Sequence, residues 1–233
     1  RLISGTIPIC LQSITNCGVL ITCGAASGID AAARAEQPGD DNAPGTVRTA
    51  RYLVDGIFGE TEYFSPLPKS MKKACFGMGE EYRDIDHLLF THRHLDHFHA
   101  GFVKSYVRNN RVSTVIVPSA GDDPLSFREK LGFTLPGGPF HATAEYICCR
   151  HLDWKTYAAV QHCALVLTVG SSQAAVQDEA PALTVMNSGT KESRRDVSAV
   201  RKLVFFADAA PTDENRELLT QAGEPDAAFV TPL

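Results

Sequence analysis

The chain has 233 residues, 44% of them apolar, and a formal net charge of -5. That is enough apolar sequence for one large core, read here as a single domain over residues 1–233, and no run of 18 or more apolar residues is present to form a membrane-spanning helix. The mild acidity disfavours broad nucleic-acid binding, which draws its affinity from Lys and Arg set against phosphates.

In chain order, apolar patterning predicts a strand near 18–22, a helix near 25–36 and a Pro-, Gly-, Asp- and Asn-rich surface loop from Gln37 to Thr46. A strand near 50–54 and a helix near 66–75 follow. Next come a strand near 85–90, a helix near 98–109, a strand near 112–117 and a helix near 124–131. The second half reads as strands near 144–149, 157–169, 182–187, 202–207 and 227–231, with a helix near 213–222. Gly170 to Pro181 and Asn187 to Asp196 read as loops, and no internal repeat is evident. Basic groups gather at Lys69, Lys72 and Lys73, at Arg108 and Arg111, and from Lys191 to Lys202, where solvated faces are the ordinary reading.

The most informative segment is Thr91 His92 Arg93 His94 Leu95 Asp96 His97. It places three imidazoles and a carboxylate, donors that zinc, manganese and iron accept, between an apolar strand and a segment where Phe98, Phe102, Val103, Tyr106 and Val107 recur at helical spacing. On a strand-to-helix turn, His92 and His94 are two apart in extended chain and can face one ion. Asp96 and His97 fall past the bend, toward a second. The remaining histidines, among them His87, His99, His141 and His162, have the ordinary reading of solvated or core residues.

The turn resembles the signature of the metallo-β-lactamase fold superfamily, and other stretches fit that likeness. Tyr52 to Val54 is an apolar run ending in Asp55, similar to the family's early strand whose aspartate braces the metal loop. Leu203 to Ala207 ends in Asp208, which the resemblance makes the bridging ligand. His151 ends a predicted strand and precedes Thr156 Tyr157 Ala158, as a metal histidine does in the tRNA-processing and phosphodiesterase branches. It is preferred over His162, which lies inside an apolar run. The opening Ile3 Ser4 Gly5 Thr6, with Arg48 further on, is similar to the ribonuclease Z and cyclic-phosphate phosphodiesterase branch.

The resemblance implies a four-layer αββα sandwich, an α/β fold of the metallo-β-lactamase type. It also implies two divalent metal ions, zinc first, with manganese or iron as alternatives. His92, His94 and His151 would hold one ion, Asp96 and His97 the other, and Asp208 would bridge; Asp96 and Asp208 are also the candidate catalytic residues. The implied activity is metal-dependent hydrolysis of a phosphodiester by an activated hydroxide, on a small cyclic phosphate or an RNA 3′ end. The lack of a basic arm favours the small substrate. Two other readings stand beside it: a non-catalytic scaffold or assembly subunit of a larger complex, and a thioester or lactone hydrolase.

Two departures from the family pattern matter. No histidine follows Asp208, although the family takes its last metal ligand there, so the expectation is that the carboxyl-terminal part lies outside this sequence. Cys10, Cys17 and Cys23 lack the close spacing of a zinc knuckle, so apolar burial is the expected role of these thiols. Seven scattered cysteines do not form a secreted disulfide framework. An intracellular setting, cytoplasmic or organellar and including mitochondrial, is therefore expected, with no membrane partner and with room for a homo-oligomer.

Overall fold

The structure, a computed structural model, describes residues 9–24, 49–60, 62–118, 125–136, 140–152, 161–171, 200–221 and 223–230. The helix expected near 25–36, the strand near 182–187, most of the two later loops and the Thr156 to Ala158 stretch lie outside these residues, as does Ile3 to Thr6.

The described strands form two five-stranded sheets. The first runs in the order β1 (Ile9–Ser13), β2 (Val19–Cys23), β3 (Ala50–Val54), β4 (His87–Leu89), β5 (Thr114–Ile116). Its first two pairings are antiparallel, and β3, β4 and β5 are mutually parallel. The second sheet runs β10 (Ala227–Val230), β9 (Val200–Ala207), β8 (Cys163–Ser171), β7 (Phe140–Cys148), β6 (Lys130–Leu135). It is antiparallel except for the β9–β10 pair.

Alternation along the strands explains where the apolar surface goes. Val19, Ile21, Tyr52, Val54 and Leu89 of the first sheet share one buried cluster with Ala142, Ala144, Tyr146, Leu165, Leu167 and Phe205 of the second, so the sheets face each other. The opposite face of the first sheet, through Leu20, Leu53 and Leu88, packs on α1 (Lys69–Cys75) and α2 (Ala100–Asn109) by way of Met71, Ala74, Val103 and Tyr106. On the far face of the second sheet, Ile147, Ala164, Val166 and Val204 cover Leu218 of α3 (Asp213–Gln221).

Most expected elements coincide with observed ones within a few residues, but the helix expected near 124–131 does not form. Arg128 adopts the left-handed region at φ 74, and Lys130–Leu135 pairs along its whole length with β7. Sheet pairing there outweighs a helix-compatible local composition. Strand β1 is missing from the sequence-based reading because it is an edge strand with four exposed residues, so its sequence carries no burial alternation. Among the described residues no helix is long and apolar enough to cross a membrane.

Candidate metal centre

The parallel pair β3–β4 ends at one edge of the first sheet, delivering Asp55 and the 91–97 turn side by side. In the second sheet β7 and β9 both run against β8, so the ends of β7 and β9 and the start of β8 meet at one edge. That topology gathers His151, Asp208 and His162. The two edges are joined by the Cys163 N–H, which donates to the Thr91 carbonyl at 3.1 Å.

Asp55 organises the turn. Its side chain is 2% exposed, and it accepts from Thr91 N at 2.8 Å, from Thr91 Oγ1 at 2.6 Å and from His97 Nδ1 at 3.0 Å. Because the Thr91 hydroxyl hydrogen points at Asp55, its oxygen is left to accept from His92 Nδ1, 3.1 Å away. Both His92 and His97 therefore carry hydrogen on Nδ1 and turn Nε2 inward. This is the carboxylate-backed arrangement that fixes metal-ligating imidazoles. Asp55 itself sits at φ 48, and Ala207 at φ 43 bends the end of β9 just before Asp208, so each acid leaves its strand through a left-handed turn.

Asp208 Oδ2 is the focus of the arrangement. His97 Nε2 lies 3.2 Å from it, His151 Nε2 3.4 Å and His92 Nε2 3.6 Å. His94 completes the ring, its centroid 4.7 Å from that of His92 and 4.5 Å from that of His151. Asp96 Oδ2 lies 3.6 Å from His97 Nε2. Donor atoms of His92, His94, His151 and Asp208 all fall within 4.8 Å of one another, and so do those of Cys17, His97 and Asp208. In a tetrahedral zinc site with bonds of about 2.1 Å, donors stand about 3.4 Å apart, which is the spacing of the imidazoles around Asp208.

The charge states of His92 and His94 agree with that use. Burial, reinforced by neighbouring imidazoles, pushes His92 below its ordinary value and His94 down to about 4, so both keep a lone pair at neutral pH. Burial also acts against charge on His97 and Asp208, but their partners outweigh it. Asp55 and Asp208 hold His97 well above its usual value, while the imidazoles of His151, His92 and His97 gathered around it hold Asp208 well below the usual carboxylate range. His92 Nε2, with a side chain 0% exposed, makes no hydrogen bond among the described residues. A buried imidazole nitrogen aimed at a carboxylate without bonding it is what a place for a cation requires. The donor set therefore fits divalent metal ions.

The strand-end half is braced by Asn215, which sequence reasoning missed. This residue is 1% exposed. Its Oδ1 accepts from Arg150 N at 3.0 Å, and its Nδ2 donates to the carbonyls of Arg150 at 2.8 Å and Ala210 at 2.9 Å. One amide thus ties together the segments carrying His151 and Asp208, which also meet in an isolated bridge between His151 and Ala209. Thr212 caps α3 by accepting from Asn215 N at 3.2 Å, which fixes the asparagine at the helix start.

Two other expectations need correction. His162 is no strand-interior residue: it immediately precedes β8, fully buried, with Nδ1 3.1 Å from Cys149 Sγ and its ring 4.8 Å from that of His92. It stands behind the cluster without joining the donor group. Of the three amino-terminal thiols only Cys23 is buried; Cys10 is exposed, and Cys17 is half-buried beside His97 and Asp208. His87 is a core residue stacked on Tyr52 at 4.9 Å, His99 caps α2 by accepting from Phe102 N, and His141 is exposed on β7.

No family model and no curated protein matches the chain. Among solved structures, a variant of CmlA beta-hydroxylase is similar at 16% identity, over 96% of this chain and 35% of its own length, with a TM-score of 0.45. The chain thus spans about a third of that protein. A likeness at this level assigns neither a family nor an activity.

Proposed function

We propose that the protein is a metal-dependent hydrolase of the metallo-β-lactamase type, its two facing sheets and outer helices being the layers of an αββα sandwich, and that it acts on a phosphodiester. The observation that carries the metal reading is the convergence of three imidazole Nε2 atoms on one oxygen of Asp208, at 3.2 to 3.6 Å. His92, His94, His151 and Asp208 would hold one ion; Asp96, His97 and Asp208 would hold the other. Bound there, divalent ions supply Lewis acidity, which makes water acidic enough to attack near neutral pH and offsets charge developing on the substrate.

The rest follows from the chain's own groups. Asp55 keeps His97 in the tautomer that offers Nε2, and Thr91 does the same for His92. Asp208, held as an anion by three imidazoles, is a poor proton acceptor. Asp96, whose side chain is 15% exposed beside His97, is the more accessible carboxylate and would take the proton of the attacking water when it is not itself bound to the ion. The preference for a phosphodiester over a thioester or lactone rests on the sequence likeness of the His151 stretch and the amino-terminal motif to the tRNA-processing and phosphodiesterase branches.

The test is hydrolysis of a bis(aryl)phosphate and a cyclic nucleotide, set beside a thioester and a lactone. The protein is expected to cleave the phosphodiesters, and His94→Ala to abolish that activity while leaving the circular dichroism spectrum unchanged. Equal activity in the variant would refute the site assignment, and turnover of the thioester or lactone alone would refute the substrate class.

A further inference from the structure

We infer that Cys17, on the β1–β2 turn, is a thiolate ligand of the second metal position, joining His97, Asp96 and Asp208. The inference rests on the metal reading above and adds to it a soft donor from the opposite end of the sequence. The thiol stands beside the second position: its sulfur lies within 4.8 Å of donor atoms of both His97 and Asp208. Cys17 stands beside the His97 imidazole, whose Nδ1 is locked on Asp55.

The turn that bears the thiol is built to hold it there. Ile14, 2% exposed, roots it in the core beside Leu20 and Leu53, and the Ile14 N–H donates to the Gly18 carbonyl at 2.7 Å. Asn16 takes the left-handed region at φ 62 and donates from Nδ2 to the Ser65 carbonyl at 3.1 Å, while Thr15 Oγ1 donates to Pro66 O at 3.4 Å. The pairing of Val19 with Val54 sets residue 18 beside Asp55. Gly18 is required in that place: a Cβ there would stand 3.0 Å from Gly56 Cα and 3.4 Å from the Asp55 carbonyl. The backbone that positions Cys17 is thus pressed against the residue that orients His97.

Ligation costs the thiol its proton, which is released to solvent, and leaves a sulfur lone pair for the ion. Thiolate selects zinc or cobalt over manganese or magnesium. The second position is therefore a thiophilic one, and the first, with imidazole and carboxylate donors alone, is not.

The experiment is electronic absorption of the full chain loaded with cobalt(II), with metal content measured alongside. Wild type is expected to show visible bands from cobalt and a near-ultraviolet thiolate-to-cobalt charge-transfer band. Cys17→Ser should lose the near-ultraviolet band, keep one ion, and bind the second at least about 100-fold more weakly, beyond the upper end of what losing a mere supporting contact costs. Cys10→Ser should keep everything. Two bound cobalt ions without the band, or a band that survives Cys17→Ser, would overturn the inference and leave the hydrolase reading standing. A wild-type chain that binds no cobalt would sink both. Should Cys17→Ser fail to fold, iodoacetamide labelling of wild type decides: zinc should block alkylation at Cys17 and a chelator should restore it, and labelling indifferent to zinc would overturn the inference.

Discussion

The two halves of the centre are built by opposite means. One is a single turn, Thr91 to His97, whose donors are neighbours in sequence and whose orientation is set by one buried carboxylate, Asp55. The other is assembled from segments far apart in the chain, His151 after β7 and Asp208 after β9, and is held by one buried amide, Asn215. The first half depends on an ionic acceptor that also fixes tautomers; the second depends on neutral backbone bonds that fix only position. Removing each brace should therefore fail differently.

Asp55→Ala should have the largest effect. It leaves Thr91 N, Thr91 Oγ1 and His97 Nδ1 without their acceptor in a buried place. The loss should be about 3 to 5 kcal/mol in denaturant unfolding, together with metal binding at both positions. A variant that loses under 1 kcal/mol and keeps both ions would show that the turn orders itself.

Asn215→Ala should cost less, about 2 kcal/mol, because the groups it strands are backbone amide and carbonyls near a helix start. It should weaken the first ion, which takes both His151 and Asp208, about 10- to 100-fold, and the second, which takes Asp208 alone, less. Equal weakening of both ions would erase the contrast between the halves.

Acidity separates two donors within the turn itself. His94 is held down to about 4, so unfolding the metal-free protein takes up a proton there between about pH 4 and 6.5, and stability falls as pH drops through that window. His97 is held above its ordinary 6.5, so its contribution is complete below 6.5 and is lost as pH rises through its folded value. The melting temperature of metal-free protein should peak near pH 6.5. His94→Gln should make the acid limb, which His94 shares with His92 and His162, shallower, and His97→Gln should do the same to the alkaline one; a wild-type profile rising steadily through neutrality, or variants with exchanged effects, would contradict the assignment.

The smallest effect should come from His162→Leu. Among the described residues its Nε2 makes no hydrogen bond and its side chain has one polar contact, a weak one to Cys149 Sγ, so an apolar side chain of similar size should change stability by less than about 1 kcal/mol. Loss of an ion in this variant would mean that His162 is a ligand after all.

How legible each part was in the sequence follows from the same contrast. The 91–97 turn could be read directly because its donors are contiguous and flanked by strand and helix patterns. Asp55 and Asp208 could be reached through apolar runs ending in an acid, a local signal that says nothing of what the acid meets. Cys17 and Asn215 had no such signal: the one depends on the register of β2 on β3, the other on where α3 begins relative to two distant loops. His162 was legible as a core or edge histidine, but β8 starts one residue after it, and the sheet edge that buries it has neighbours the local sequence does not name. The same limit hid strand β6 behind a helix-compatible composition.

Metal content of the purified full chain tests the central claim most directly. The account predicts about two zinc, manganese or iron ions per chain, falling to about one or none in His94→Ala with the fold intact. A well-folded wild-type protein that binds no divalent metal, as purified or after dialysis against zinc, would contradict it.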